Sequence, residues 1–560
     1  MARLLTLHDP AEARRYHASG LWQDDTLYGL ASSWAQTRGR APAVRDPYRR
    51  LDWSALVDQV DRVAVALDGA GLRAGDRVSV WMGNRIEAIA IFLACSRNGY
   101  VFNTSLHPTY TVADVVTLLE RVSAKALFAQ IGHGADSDRS DIFASAAGLP
   151  AMRVIFAMPA AGHPDAALPA GTLPYPQGSS APGPEPVNDP DKITYLAFTS
   201  GTTGAPKGVM HSDNSLLANG RAMVRDWGHG PQTILLSLSQ MSHHIGTVAL
   251  AQALVGGFEL VLGDPSAGVS ALDWIEQTGA TYVMGVPTHA IDLLAEVDAK
   301  GMQRLGKVST FYMAGAPIPQ ATARRMLDMG ILPQNVYGMT ECGSHQYTLP
   351  GDGVDTITGT CGKACEAYEV RLFRQDDPDA EVAPGEVGEI GGRGAMRMLG
   401  YFANQSATEA TFNAGGWMMS GDLGQFDASG NLHIVGRAKD VIIRGGHNIH
   451  PAGIEDLAMR HPSVRKAAAI GIADERLGER VCLIVTAAGT ETPTGDALLA
   501  HLREQGLSRF DMPEYFSCAD ELPLGPTGKV LKRELVALIR DGGITAAPIR
   551  WREPAKGVDA

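Results

Sequence analysis

The sequence predicts an α/β protein, with a large N-terminal α/β region of several subdomains and a smaller α+β C-terminal domain. Three observations carry this expectation. The chain has 560 residues, more than one hydrophobic core accommodates, so two or more domains are expected. Short apolar runs alternate with segments whose apolar residues recur at helical spacing, the pattern of α/β folds with largely parallel sheets. After about residue 436 the texture changes to short strands around two helices, which divides the chain into 1–436 and 437–560.

Taken in order, residues 54–71 carry apolar positions at helical spacing. "DRVSVWMGN" (76–84) reads as a strand and "RIEAIAIFLACSRNG" as a helix, and "DVVTLLERVSAKALFAQ" reads as helix then strand. "YLAFTS", "FELVLG" and "ATYVMGVP" are further short strands beside helical segments. Residues 160–190, rich in Pro, Gly and Ala, read as a surface loop rather than a domain boundary. In the last part, "KDVIIRGGHNIHP", "VRKAAAIGIAD" and "RVCLIVTA" are strands around helices near 453–461 and 494–505.

Composition narrows the function. The residues are 45% hydrophobic and 19% charged, as in ordinary globular proteins, and the formal net charge is −13. That charge disfavours nucleic acid or an anionic membrane as partner, while leaving room for a local basic pocket around a phosphorylated ligand. Six cysteines are scattered, and the near pair Cys361 and Cys365 has no second Cys or His pair to complete a zinc site. Reduced thiols and a cytoplasmic location are expected. "MARLLTLHDPAEARRYHASG" lacks the apolar region of a signal peptide, and no run of about 18 apolar residues predicts a membrane span.

The most informative stretch is "FTSGTTGAPKGVMH" (198–211). It resembles a phosphate cradle but breaks the Walker pattern: Pro206 stands where that pattern needs glycine, and Gly208 where it needs the magnesium-binding hydroxyl. "ITYLAFTS" is a strand leading in, "GVMH" is β-like, and the next helix begins at Ser212 as N-cap. Phosphates would then rest on backbone N–H groups of the turns at Gly201 and Gly204, on the hydroxyls of Thr199, Ser200, Thr202 and Thr203, and on Lys207, rather than on a helix N-terminus. The competing reading is a plain surface loop; the strand before it and the Pro-Lys-Gly after it favour the phosphate reading.

This stretch is similar to the phosphate-loop signature of the AMP-forming adenylating enzymes, the group of acyl- and aryl-CoA ligases, luciferases and amino-acid adenylation domains. Three more signatures follow in order. "VYGMTECG" (336–343) resembles the Tyr-Gly-x-Thr-Glu motif. "GWMMSGDLGQFDASGNLHIVGRAKDVIIRGGHNIHP" (416–451) resembles the ribose-binding, hinge and Gly-rich region, and "LPLGPTGKVLKREL" (522–535) the C-terminal lysine motif. The resemblance runs from about residue 25 to 540, and four motifs in order are far more specific than one.

What the resemblance implies is a two-step ligase. A carboxylate attacks the α-phosphate of ATP, giving an acyl-adenylate and pyrophosphate, and a thiol then displaces AMP. Like charges meet in the first step, so magnesium, lysines and oriented N–H donors are required. Lys207 and the Thr/Ser loop would hold the β- and γ-phosphates. Glu341 would be the Mg²⁺ ligand, and Thr340 would donate to the α-phosphate. Tyr337 and the backbone of Gly315, Ala316 and Pro317 would face adenine. Asp422 suits the ribose hydroxyls, with Arg437 taking a neighbouring ribose or phosphate contact. Lys529 would bridge the substrate carboxylate and the α-phosphate as the catalytic lysine, and Asp440 would be the hinge about which a mobile C-terminal domain rotates. Gly445 and Gly446 would line the channel for the pantetheine arm of CoA. His447 and His450 lack a third nearby residue to make a metal site.

Three positions depart from the family pattern: Gly453 and a single Glu455 where two glutamates are usual, Asn335 where Gln is common, and Ala364 where Pro is common. The first puts the local structure of the small domain in question.

For the acid, "LLSLSQMSHHIGTVAL" (235–250) corresponds to the acyl-pocket segment, with His243 and Gly246 matching a His-x-x-Gly pattern. Residues 234–250 contain no Asp to pair an α-ammonium, which argues against an amino acid. About thirty residues follow Lys529, too few for a carrier domain, so free CoA is the expected acceptor. Gly246, Gly285, Gly315, Met241, Met284 and Met339 suggest room for a medium-chain fatty, alicyclic or aromatic acid. The expected partners are thus ATP, CoA and a carboxylic acid, with a homodimer as the expected assembly. The alternatives are a catalytically silent nucleotide-binding scaffold of the same fold, an adenylating enzyme with a non-CoA acceptor, and a phosphotransferase. Retention of Lys207, Glu341 and Lys529 weighs against the first, and the failed Walker pattern against the last.

Overall fold

The computed structural model describes residues 9–160, 166–177, 183–199, 206–316, 318–489, 492–525 and 529–551. Two large sheets form its body. One has seven strands, in the order Leu173–Pro174, Val154–Met158, Ala126–Gln130, Arg77–Trp81, Val101–Asn103, Ile193–Thr199 and Lys207–Ser212. Its neighbours run parallel except the last pair, which is antiparallel. The other has nine strands, six of them parallel and adjacent: Leu332–Met339, Thr310–Met313, Tyr282–Gly285, Ile234–Ser237, Glu259–Leu262 and Pro42–Arg45.

Parallel strands are covered on both faces, which is why strands such as Val154–Met158 and Tyr282–Gly285 read as short apolar runs. Helix Ile86–Asn98 is buried along its whole length and ends on the left-handed Gly99 at φ +74°. Its sequence, apolar on every side, is that of a helix enclosed by other elements rather than facing water. Helix His244–Gly256 is apolar all round in the same way, with Leu250, Ala253 and Leu254 in the same core as Phe92.

A third sheet was not foreseen. Strands Tyr368–Phe373, Gly388–Gly394, Met418–Phe426 and Leu432–Arg437 are antiparallel throughout. One inner strand, "GEIGGRG", carries only Ile390 as an apolar side chain, and glycine stands at positions where close neighbours leave no room for one. A Cβ at Gly392 would lie 2.4 Å from the Tyr368 hydroxyl, and one at Gly394 2.3 Å from the Ala367 carbonyl. The glycines erase the alternation by which such a strand is read.

The C-terminal part has its own sheet, ordered His447–Ile449, Ile442–Arg444, Gly478–Ala487, Tyr515–Cys518 and Ala547–Pro548, with Val464–Asp474 also pairing Gly478–Ala487. Helices Pro451–Met459, Gly495–Glu504 and Lys532–Arg540 pack around it, the last not anticipated. Helix Pro451–Met459 forms through Gly453, and Glu455 ties the domain together. Its Oε1 accepts from the Ala469 N–H at 2.8 Å and meets Lys532 Nζ at 2.6 Å. Asn335 donates to the Ile357 carbonyl, and Ala364 pairs with the strand Gly343–Tyr347, so both of those departures are accommodated. Between the antiparallel sheet and the C-terminal sheet the chain makes a single 3-10 turn, Ala438–Asp440. Within 160–190 the described residues hold only the two-residue strand Leu173–Pro174. No described helix is long and apolar enough to cross a membrane.

The hairpin Leu332–Met339/Gly343–Tyr347 is held by close backbone contact. A Cβ on Gly338 would fall 2.0 Å from the Gly343 carbonyl oxygen, which cannot move aside. Gly338→Ala should therefore destabilise the protein by about 1–3 kcal/mol, seen as a lower denaturation midpoint. Gly453→Ala, in a helix with nothing within 4 Å of the added carbon, should stabilise it by roughly 0.5–1 kcal/mol.

Candidate active site

The strands Ile193–Thr199 and Lys207–Ser212 pair antiparallel, with Thr199 opposite Lys207. Ser200, Gly201, Thr202, Thr203 and Gly204 lie outside the described residues, as does Pro317. The helix follows at Asp213–Trp227, with Ser212 as N-cap in a capping box, as the sequence indicates. The loop therefore precedes a strand, not a helix.

Lys207 lies 4.8 Å from the ring centroid of Tyr401. The Tyr401 hydroxyl donates to Glu341 Oε1 at 3.0 Å. Tyr401 belongs to a segment laid against the strand after the loop, with Phe402 N–H donating to Gly208 O at 2.7 Å and Met210 N–H to Gly400 O at 3.0 Å. The Met398 N–H also donates to the backbone carbonyl of Glu341 at 2.7 Å. One segment, 398–402, thus holds both the loop strand and the Thr340–Glu341 turn. Glu341 is 6% exposed, and burial raises its carboxyl pKa, opposed by the Tyr401 hydrogen bond and the Lys207 charge. A buried carboxylate facing a cation is an unsettled charge that a further positive group would stabilise.

On the other side, Asp422 and Arg437 sit opposite each other on neighbouring strands, with Arg437 Nε 3.1 Å from Asp422 Oδ1. The Tyr337 hydroxyl donates to Asp422 Oδ2 at 3.0 Å, and its ring packs edge-on against His345. Tyr337 is thus largely buried and anchored to the carboxylate, rather than presenting a free hydroxyl. Lys529 enters from the C-terminal part. It remains exposed to solvent. Protein around it still strips water from its ammonium, and this, with the charge of Arg437, lowers its pKa; Asp422 and Glu341 pull the other way. Lys529, Arg437, Asp422, Glu341 and Lys207 therefore share one electrostatic neighbourhood, though they span 323 positions of sequence from Lys207 to Lys529 counted inclusively.

Thr340 is held through its backbone. His211 Nε2 lies 2.7 Å from the Thr340 carbonyl, which can only accept, so this nitrogen carries the proton. Nδ1 then accepts from Ser215 Oγ at 3.0 Å. Burial lowers the His211 pKa to about 4, so the ring stays neutral and the arrangement persists at ordinary pH. Lys439, beside Asp440 in the turn, is pulled down to about 8 by desolvation and by the charges of Arg437 and Arg533.

The remaining predicted residues lie apart. Gly315, at φ +91°, faces Val286 and Ile245, whose nearest atoms are 3.7 and 4.0 Å from where its Cβ would be. Ala316 is exposed beside it. His243 is the N-cap of helix His244–Gly256. Gly246 and Gly285 do not open space: a Cβ on Gly246 would lie 2.6 Å from the Gln240 carbonyl, and one on Gly285 2.9 Å from His289 Nδ1. Both are glycines because neighbours fill the room, which corrects the inference that they enlarge a pocket. Met284 is wholly buried and Met241 nearly so. Gly445 and Gly446, at φ +59° and +82°, form the tip of the hairpin Ile442–Arg444/His447–Ile449, a turn that needs positive φ at both positions. Among the described residues no group of three His, Cys, Asp or Glu is arranged to hold a metal ion.

The sequence reading missed Tyr401, His211, and an N-terminal latch. Glu12 and Arg397 pair at 2.5 Å, and Trp22 Nε1 donates to the Ala395 carbonyl at 2.7 Å, fastening the start of the 395–402 segment. Only His211 had a signal, as the last residue of the loop signature.

Residues 31–402 match the AMP-binding enzymes and residues 453–529 the AMP-binding enzyme C-terminal domain. The chain belongs to the AMP-binding enzymes. It is 29% identical over 535 residues to the medium-chain fatty-acid–CoA ligase of Escherichia coli (strain K12), covering 94% of this chain and 93% of that one. It is 33% identical over 515 residues to a feruloyl-CoA synthase of Amycolatopsis sp., covering 90% and 98%. Among solved structures, ATP-bound MatB from Rhodopseudomonas palustris superposes with a TM-score of 0.77 at 27% identity, over 91% of this chain and 99% of that one. This AMP-binding enzyme is an acid–thiol ligase of the acyl- and aryl-CoA ligase group.

Tyr401→Phe removes the donor to a buried carboxylate, a loss of about 1–3 kcal/mol. Acid-dependent ATP–pyrophosphate exchange should fall about 10-fold on that scale, while the circular dichroism spectrum stays unchanged.

Proposed function

We propose that the enzyme activates a medium-chain fatty, alicyclic or aromatic carboxylic acid and transfers it to free CoA in the cytoplasm. The observation that carries this is the convergence of Lys529 from the C-terminal domain with Arg437, Asp422 and Glu341. In the first half-reaction the carboxylate oxygen bonds to the α-phosphorus and the bond to pyrophosphate breaks. Lys529 and Lys207 offset the charge, and the Thr340 hydroxyl donates to the α-phosphate oxygen. Asp422 accepts from the ribose hydroxyls while Arg437 holds it in place, and Gly315 and Ala316 line the adenine side. His211 fixes the Thr340 carbonyl, and so the direction of this turn.

The carboxylate of Glu341 fits Mg²⁺: it is buried and oxygen-donating, with one oxygen held by the Tyr401 hydroxyl and the charge of Lys207 nearby. Bound there, Mg²⁺ supplies positive charge to phosphate oxygens. In the second half-reaction the CoA sulfur bonds to the acyl carbon and AMP leaves with the bonding pair. The absence of Asp from 234–250 and the apolar Ile245 and Val286 beside Gly315 support an uncharged acyl body. The Gly445–Gly446 hairpin tip is the part of the C-terminal domain proposed to face the pantetheine arm, after rotation about Asp440.

Two variants test the division of labour. Lys529→Ala should lower acid-dependent ATP–pyrophosphate exchange about 10²-fold or more, yet leave thioester formation from pre-made acyl-AMP and CoA intact; equal loss in both steps would make the lysine structural. Asp440→Pro, which locks φ near −65°, should retain exchange and abolish the thioester step, whereas Asp440→Ala should be mild. Normal rates for both steps in the proline variant would remove Asp440 as the pivot.

A further inference from the structure

Three imidazoles gather at the ends of the strands Ile234–Ser237 and Tyr282–Gly285, next to the apolar wall that faces Gly315. His107 and His243 stack with ring centroids 4.4 Å apart and planes 24° apart. His289 sits against Gly285 in the first turn of helix Pro287–Ala299, within electrostatic reach of His243. His243, Ile245, Val286, His289 and Gly315 all keep accessible surface, although most residues of the strands and helices beside them are buried. Their partly exposed surfaces lie close together, with Ile245 and Val286 forming the apolar side beside Gly315.

The hydrogen bonds already made by these rings define what is left over. His289 Nδ1 accepts from the Val286 N–H at 3.3 Å, so its proton is on Nε2, a free donor among the described residues. Ser242 Oγ lies 3.4 Å from Gln240 Oε1, which only accepts, so the serine proton points there. The Ser242 oxygen then accepts from His107 Nδ1 at 3.2 Å, leaving His107 Nε2 as an acceptor. Neither ring nitrogen of His243 bonds a described residue. Partly buried polar nitrogens beside apolar side chains call for a partner, from water or from ligand. They do not make a metal site, since no such group has metal-binding geometry among the described residues.

We propose that this cluster selects acids whose apolar body carries a neutral hydroxyl remote from the carboxylate. A hydroxyl both donates and accepts, which matches a free Nε2–H on one ring and a free Nε2 on another. An anionic remote group would find no cation there: burial lowers His107 to about 3 and His243 to about 4, so these rings stay uncharged. This rests on the ligase reading above and narrows its substrate.

The test is a set of matched acids scored by CoA- and ATP-dependent AMP release. The set is phenylpropanoate, its para-hydroxy and para-carboxy forms, octanoate, omega-hydroxyoctanoate and octanedioate. The hydroxy acid of at least one series should exceed its parent in kcat/KM by about 10-fold or more, with the dicarboxylates weakest. His289→Phe should bring the hydroxy-to-parent ratio toward one, and His289→Gln, which keeps a donor, should restore part of it. Turnover in which the parent acids or dicarboxylates are preferred overturns this inference alone, whether or not the variants fold. No AMP release with any acid overturns the ligase reading and this inference with it. A hydroxyl preference that survives His289→Phe unchanged also overturns the assignment to this cluster.

Discussion

A carboxylate cannot approach a polyphosphate unless positive charge is already in place, and the body of this protein is arranged around that constraint. Glu341 is buried beside Lys207, and Asp422 is held by Arg437 and Tyr337. Each carboxylate is fixed by partners on different elements, so neither can relax when a phosphate arrives. Preorganisation of this kind avoids reorganising the site during reaction. The fold provides it with a loop between paired strands, a hairpin that ends in the Thr340–Glu341 turn, and an antiparallel sheet bearing Asp422 and Arg437.

Supports outside the charged groups are as specific. Neutral His211 pins the Thr340 carbonyl, Tyr401 links the loop strand to Glu341, and Trp22 with the Glu12–Arg397 pair secures the segment that carries Tyr401. The N-terminal segment, distant in sequence, thereby helps to fix the geometry around Glu341 and Lys207. Lys529 belongs to the other sheet system and joins the cluster across the short turn Ala438–Asp440. Under the proposed function it acts in one step and withdraws in the next, a role that suits a group joined to the rest by a few residues.

Much of the fold was legible because periodicity and burial coincide. The strands Arg77–Trp81 and Ile193–Thr199 and the helices Trp53–Gly69 and Ile86–Asn98 fall where apolar runs and helical spacing put them. The Ser212 cap was legible from its local chemistry. The antiparallel sheet was not, because close packing forces glycine where strand residues would show alternation. The charged site was legible through four local signatures. Tyr401, Arg397 and Trp22 were not, because their roles depend on contacts between segments far apart in sequence. Gly246 and Gly285 were read as space in a pocket, but their neighbours fill that space. A missing side chain in sequence does not distinguish a void from a close contact.

The central claim is that Glu341 completes a phosphate-neutralising cluster that requires Mg²⁺. Its most direct test is acid-dependent ATP–pyrophosphate exchange measured against Mg²⁺ concentration for the native enzyme and Glu341→Gln, which keeps the shape and removes the charge. The account predicts exchange in the native enzyme, with AMP and pyrophosphate rather than ADP as products on adding CoA. It also predicts strong loss in the variant at low Mg²⁺ and partial recovery as Mg²⁺ rises. The same Mg²⁺ dependence in both proteins, or release of ADP, would contradict it.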